Sequence, residues 1–159
     1  ASFRFFEDRT MNRSGLLGLL ASTALLLSAC SCTCDVDNGV KPGTPEDFAA
    51  NVPNTVYFDF DKSNLTPAAQ KRVEAQAAWL NTYTGTKVTV EGHTDVRGTA
   101  EYNMALGEAR ANSTAKKLRD LGVAGDRIST VSYGKERVVD TGTTDMAHAK
   151  NRRTVSVVG

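Results

Sequence analysis

"VTVEGHTDVRGTAEYNMALGEARANSTAKKLRDLG", residues 88–122, changes its hydrophobic period partway along. Val88, Val90 and Gly92 alternate with Thr89, Glu91 and His93, the two-residue period of a half-buried strand. From about Ala100 the spacing becomes helical. At about 100° per residue, Met104, Ala111, Thr114, Ala115, Leu118 and Leu121 fall within about 120° of one another and predict a core stripe. Gly122 is a typical helix stop. Where the strand hands over to the helix, the chain concentrates His93, Asp95, Arg97, Glu101, Asn103, Glu108 and Arg110.

The same two periods organise the flanks. In "TVYFDF", Val56, Phe58 and Phe60 alternate with Tyr57 and Asp59, a first strand. Thr66-Pro67 starts a helix with proline at its first position, and Ala69, Val73, Ala77 and Leu80 give it one apolar face through Asn81. "RISTVSY" and "RTVSVV" supply two more strands around a long loop from Gly134 to about Asn151. The order β-α-β-α-β-β predicts an α+β two-layer sandwich over residues 54–159, with the helices on one face of a mixed sheet.

The first part of the chain reads as an address. "MNRSGLLGLLASTALLLSAC" (11–30) has one basic residue, an apolar run from Leu16 to Leu27 and a small-residue site, the architecture of a secretory signal. Residues 11–29 are expected to be that signal, and residues 1–10, ahead of Met11, a non-native or mis-set start. Leu27-Ser28-Ala29-Cys30 resembles a bacterial lipobox, which predicts a lipidated Cys30, and two or more acyl chains anchor stably where one is marginal. Ser31, where aspartate would signal inner-membrane retention, favours the outer membrane by the same resemblance. Residues 30–53, with two proline-containing turn signals and little periodicity, are expected to form a flexible linker.

Several function classes are disfavoured. Of 19 basic and 18 acidic residues, Arg4, Arg9, Arg13, Glu7 and Asp8 lie in the leader, so the rest is formally neutral and lacks the basic excess of a nucleic-acid binder. All cysteines (30, 32 and 34) precede the domain and the only histidines are His93 and His148, so no structural zinc set is in reach. No phosphate-loop pattern and no activated nucleophile with its base occurs, and no cofactor is expected. The enzymatic alternative is an envelope hydrolase or metalloenzyme using His93, Asp95 and Glu101.

Asn103, Leu106 and Arg110 form a narrower wedge beside the helix's apolar stripe, which predicts a half-buried guanidinium in need of a planar anion. Asp95 lies just past the strand, where ligand groups gather. Two readings stand. Asp95 and Arg110 pair with each other, or they grip opposite charges of one zwitterionic, amino-acid-like ligand.

"VYFDFDKSNLTPAAQ", "VTVEGHTDVRGTAEYNMALGEARA", "ISTVSYGKE" and "AKNRRTVSV" resemble, in order and spacing, the OmpA-like peptidoglycan-binding domain family. The helix pattern N-x-x-L-S-x-x-R-A-x-x-V-x-x-x-L reads here as Asn103, Leu106, Gly107, Arg110, Ala111, Thr114 and Leu118, with Gly107 in place of the usual serine and Thr114 of the usual valine. Together with the lipobox, the match narrows to the family's peptidoglycan-associated lipoprotein branch. The resemblance implies a non-enzymatic protein that binds the diaminopimelate of peptidoglycan stem peptides. Asp95 would take the ligand's ammonium and Arg110 its carboxylate. Phe60 and Asp61 would line the pocket, Asn103 and Leu106 would shape it, and Arg152 or Arg153 would brace it. It also implies an outer-membrane location on the periplasmic face, contact with proteins of the Tol system, and roles in envelope integrity and cell division.

Overall fold

The structure, a computed structural model, describes residues 39–159, which form one compact unit. The signal peptide, Cys30, Cys32, Cys34 and the residues ahead of Met11 lie outside the described residues. The elements follow in the order α1 (Pro45–Asn51), β1 (Thr55–Tyr57), α2 (Pro67–Thr82), β2 (Val88–His93), α3 (Ala100–Asp120), β3 (Ile128–Gly134), α4 (Asp145–Asn151) and β4 (Arg153–Val158), with a short 3-10 turn at Gly125–Arg127. The strands form one mixed sheet in the order β1-β4-β2-β3, with β2 parallel to β3 and β4 antiparallel to both β1 and β2. This is the α+β architecture expected, with two additional short helices.

Both additions start from a threonine cap. Thr44 accepts from the Asp47 amide and Thr144 from the Ala147 amide, as Thr66 does from Ala69 at the start of α2. The stretch read as linker therefore carries a helix from Pro45, and Phe48 is buried in the core, so the folded unit begins ahead of residue 54. Asp47 secures α1 by accepting from the Gly43 amide (2.9 Å), the Asn51 amide group (2.7 Å) and the Trp79 indole (3.0 Å). The long loop before the last strand holds α4.

The core lies between α2, α3 and the inward residues of the sheet, among them Val56, Val73, Leu80, Val88, Val90 and Leu118. The stripe expected on α3 is shifted. Met104 is 43% exposed and Leu121 only half-buried, while Asn103, Gly107 and Arg110 are buried alongside Ala111, Thr114, Ala115 and Leu118. The polar wedge therefore faces inward in the first half of the helix. Close approach permits it: a Cβ on Gly92 of β2 would stand 1.9 Å from the Gly107 carbonyl oxygen. Buried hydroxyls are also satisfied, since Thr114 shares a hydrogen bond with Thr154 (3.1 Å) and Ser156 donates to Gln76 (2.8 Å). The helix ends in a Schellman arrangement, with Gly122 (φ 94°) donating to the Arg119 carbonyl and Val123 to that of Leu118.

Candidate functional site

Three segments converge beside the carboxyl end of β2. The turn after β1 runs through Phe60 and Asp61, the β2–α3 loop carries Thr94 to Gly98, and the first half of α3 presents Tyr102, Asn103, Leu106 and Arg110. They enclose a cavity of about 220 Å³. All six residues picked out from the sequence, Phe60, Asp61, Asp95, Asn103, Leu106 and Arg110, line it.

Arg110 is fully buried rather than half-buried, and its partners are carbonyls. Nε donates to Lys62 (2.8 Å), Nη1 to His93 (3.1 Å) and Nη2 to Asp59 (3.2 Å). One guanidinium thus ties both ends of the β1–α2 turn to the end of β2. A second hydrogen remains on each terminal nitrogen for a ligand. Burial and the nearby Arg152 charge lower its pKa to about 10, so it stays protonated at neutral pH.

Asp95 is buried and does not pair with Arg110. Its Oδ2 accepts from Arg97 Nη2 at 2.6 Å and lies 3.5 Å from Arg152 Nη1, while Oδ1 accepts from the Arg97 amide at 3.2 Å. Burial pushes the Asp95 pKa up, but the Arg97 bonds outweigh it and the net shift is downward. Arg97 is 41% exposed, and its guanidinium sits 4.3 Å from the centre of the exposed Phe60 ring.

The loop that presents Asp95 is braced from several sides. Asn103 donates through one nitrogen to the carbonyls of Arg97 (2.7 Å) and Thr99 (2.9 Å), which makes it a loop brace as well as a cavity wall. Lys135 donates to the Gly98 carbonyl and Thr94 to that of Gly134. On the opposite side, Lys62 closes the turn by donating to Asp59, while the amides of Phe60 and Asp61 inside it donate to nothing among the described residues. Leu106, half-buried, supplies apolar wall.

Of the two arginines in "NRR", Arg152 reaches the cavity, while Arg153 is buried elsewhere against the carbonyls of Asn151 and Arg137. Neither is the exposed residue that a basic pair suggests by default. Arg97, Tyr102 and Arg152 also line the cavity; Tyr102 and Arg152 meet Asp61 and Asp95 across distant parts of the chain, which sequence reasoning does not reach, whereas Arg97 meets Asp95 two residues away. Asp59 and Lys62 are exposed.

Neither His93 nor Glu101 lines the cavity. The His93 ring is 2% exposed, stacks on Tyr133 with centroids 5.6 Å apart, and neither ring nitrogen makes a hydrogen bond among the described residues. No group of three His, Cys, Asp or Glu side chains among the described residues could hold a metal ion. The arrangement is suited to holding a small doubly charged molecule. A carboxylate and a guanidinium, each fixed by protein partners, face one cavity from separate elements.

The model of the OmpA family matches residues 57–152. A peptidoglycan-associated lipoprotein of Agrobacterium fabrum is 43% identical over 118 residues, which cover 74% of this chain and 67% of the relative. One of Legionella pneumophila is 40% identical, with 86% of this chain and 90% of that protein covered. Among solved structures, the peptidoglycan-associated lipoprotein from Burkholderia pseudomallei is similar with a TM-score of 0.66 and 34% identity, covering 75% of this chain and 97% of that one. The C-terminal domain of Helicobacter pylori MotB shares the fold at 20% identity and a TM-score of 0.62.

Proposed function

The chain belongs to the OmpA family, and from that premise we propose that it is a lipid-anchored envelope protein that binds peptidoglycan without covalent chemistry and ties the outer membrane to the cell wall. The observation that carries this reading is the unpaired opposition of Asp95 and Arg110 across one cavity. Diaminopimelate fits it, because its side-chain end carries both an ammonium and a carboxylate. The ammonium is taken by Asp95, whose two oxygens have lone pairs for it as well as for Arg97. The carboxylate is taken by the remaining Arg110 hydrogens and the free amides of Phe60 and Asp61, a bidentate, charge-assisted arrangement. Leu106 and Phe60 supply apolar walls, and Asn103 keeps the Asp95 loop in place.

The remainder of the proposal rests on the leader and, for the Tol-system proteins, on the family resemblance. Cys30 carries the acyl chains, the mature protein sits on the periplasmic face of the outer membrane, and Tol-system proteins are its partners there. No catalytic step is assigned. Co-sedimentation with purified peptidoglycan is the test: the protein should pellet with the wall, release no soluble fragments, and be competed off by a diaminopimelate-containing tripeptide. Release of soluble muropeptides would instead support a hydrolase. Cys30→Ser should abolish fatty-acid labelling and leave wall binding intact, and persistent labelling would refute the anchor assignment.

A further inference from the structure

Asp61 has φ 56°, the one non-glycine residue with positive φ among the described residues. A side chain in the left-handed region costs free energy, less for aspartate than for most, and such a conformation persists only where its surroundings impose it. Here the surroundings are one face of α3. Arg110 grips the turn from below through the carbonyls of Asp59 and Lys62, and the Tyr102 hydroxyl donates to the Asp61 carboxylate from the cavity mouth. Tyr102, Leu106 and Arg110 are spaced four residues apart, so they lie along one side of the helix and all face the cavity.

We propose that Tyr102 is a positioning residue for the ligand carboxylate: through Asp61 it holds the 59–62 turn in the left-handed conformation that turns the free Phe60 and Asp61 amides toward the cavity. The inference rests on the function proposed above and adds to it a residue that acts through another. Arg110 and the Lys62–Asp59 bond fix the ends of the turn, and Arg97 lies over the Phe60 ring, but none of these contacts reaches the Asp61 side chain. Tyr102 fixes the tip. At 51% exposed the Tyr102 ring buries little apolar area, and its partner Asp61 is exposed too, so the bond contributes little to global stability. The carboxylate also pushes the Tyr102 phenol above its ordinary pKa, so the hydroxyl, protonated at neutral pH in any case, remains the donor.

The competing accounts are that Tyr102 touches the ligand directly, or that the bond is an idle surface contact. A double-substitution cycle separates them, because glycine adopts positive φ unaided. The full chain is titrated with the tripeptide L-alanyl-γ-D-glutamyl-meso-diaminopimelate as wild type, Tyr102→Phe, Asp61→Gly and the double variant. Tyr102→Phe should bind about fivefold more weakly with an unchanged unfolding midpoint, the size expected of an exposed hydrogen bond to a charged group. On the Asp61→Gly background, whatever its own affinity, adding Tyr102→Phe should change binding by less than about twofold. An equal loss on both backgrounds would make Tyr102 a direct ligand contact and overturn the proposal, as would no loss on the wild-type background. The ligand-free protein gives a second readout: Tyr102→Phe should move the amide resonances of Phe60 and Asp61, and unmoved resonances would also overturn it. If the wild type binds no tripeptide, the proposed function fails, while those resonances still decide whether Tyr102 sets the turn.

Discussion

Asp95 is paired with Arg97 and not with Arg110. Arg97 Nη2 lies 2.6 Å from the Asp95 carboxylate, whereas every hydrogen bond from Arg110 goes to a backbone carbonyl. The simplest structural explanation for two opposite charges near each other in sequence, that they neutralise one another, therefore does not apply. Asp95 has its hydrogen-bonded partner two residues along the loop, and among the described residues Arg110 hydrogen-bonds to no carboxylate, although the Asp95 and Asp61 charges favour its protonated form from a distance. A cavity lined by a buried carboxylate and a buried guanidinium that do not hydrogen-bond to each other suits a molecule carrying both charges.

Asp95→Asn tests the anionic half. The substitution keeps the shape, and Arg97, at 41% exposed, can turn into solvent, so the unfolding midpoint should move by no more than a few degrees. Loss of the charge-assisted contact to the ligand ammonium should weaken binding of a diaminopimelate tripeptide about tenfold to a hundredfold. The same tripeptide with lysine in place of diaminopimelate lacks the distal carboxylate and should bind the wild type poorly. Equal affinity for the two peptides would exclude a zwitterionic ligand at this site.

Arg110→Lys has a different signature from the one its position in the sequence suggests. A lysine ammonium on a flexible stem cannot reproduce the guanidinium fork that spans the carbonyls of Asp59, Lys62 and His93, so at least one of these bonds is lost, and the His93 carbonyl is the buried one. Stability should fall by about 2–4 kcal/mol in urea denaturation, together with the loss of ligand affinity. Affinity is therefore to be compared at a temperature and denaturant concentration where both proteins are folded. A variant as stable as the wild type would mean that the turn is held by other contacts.

The hydrophobic periods made the sheet and the two long helices legible, because an apolar face over three or more turns, or alternation over five or six residues, is a redundant signal. Helices α1 and α4 are too short to show a period, although Thr44-Pro45 repeats the start signal of Thr66-Pro67. The angle of Met104 on the helix predicts a core position, but the first half of α3 faces the cavity, where Asn103, Gly107 and Arg110 take the inward positions. The six expected site residues are brought together, yet their partners are not legible. Whether Arg110 meets a carboxylate or three carbonyls depends on a turn 48 residues away, and the Tyr102–Asp61 contact spans 41.

Gly92 measures how closely α3 is pressed onto the sheet. A Cβ there would lie 1.9 Å from the Gly107 oxygen and 2.6 Å from its carbonyl carbon, both backbone atoms that cannot rotate away. Gly92→Ala should therefore cost more than about 3 kcal/mol or prevent folding, well beyond an ordinary overpacking penalty. Gly85→Ala is the control, since nothing lies within 4 Å of its added carbon, and it should change stability by less than about 1 kcal/mol. Similar costs for the two would contradict the close packing. Gly107→Ser should also destabilise, because the new Cβ would stand 2.4 Å from the Ser132 hydroxyl, which already donates to Met104.

His93 should make stability depend on pH in a window of its own. Burial, and then the Arg153 and Arg137 charges, lower its pKa from 6.5 to about 4. The Glu91 carboxylate, 3.6 Å from Nε2, favours the protonated ring but is outweighed. Between pH 6.5 and 4 the unfolded chain binds a proton at this residue and the folded chain does not, so stability rises with pH across that interval and is lost as pH falls through it. The contribution is on the order of 3 kcal/mol, at 1.36 kcal/mol per pKa unit over the interval from 6.5 to about 4. Asp47, Asp95, Asp120 and Asp140 have lowered pKa values, so their losses come at lower pH and leave the window to the histidine. His93→Phe keeps the stack on Tyr133 and removes two unpartnered nitrogens, so it should be as stable as the wild type at pH 7 and flatten the profile between pH 6.5 and 4. Urea denaturation of both proteins at pH 7, 5.5 and 4.5 measures it, and parallel profiles would show that the buried ring is not the group being protonated.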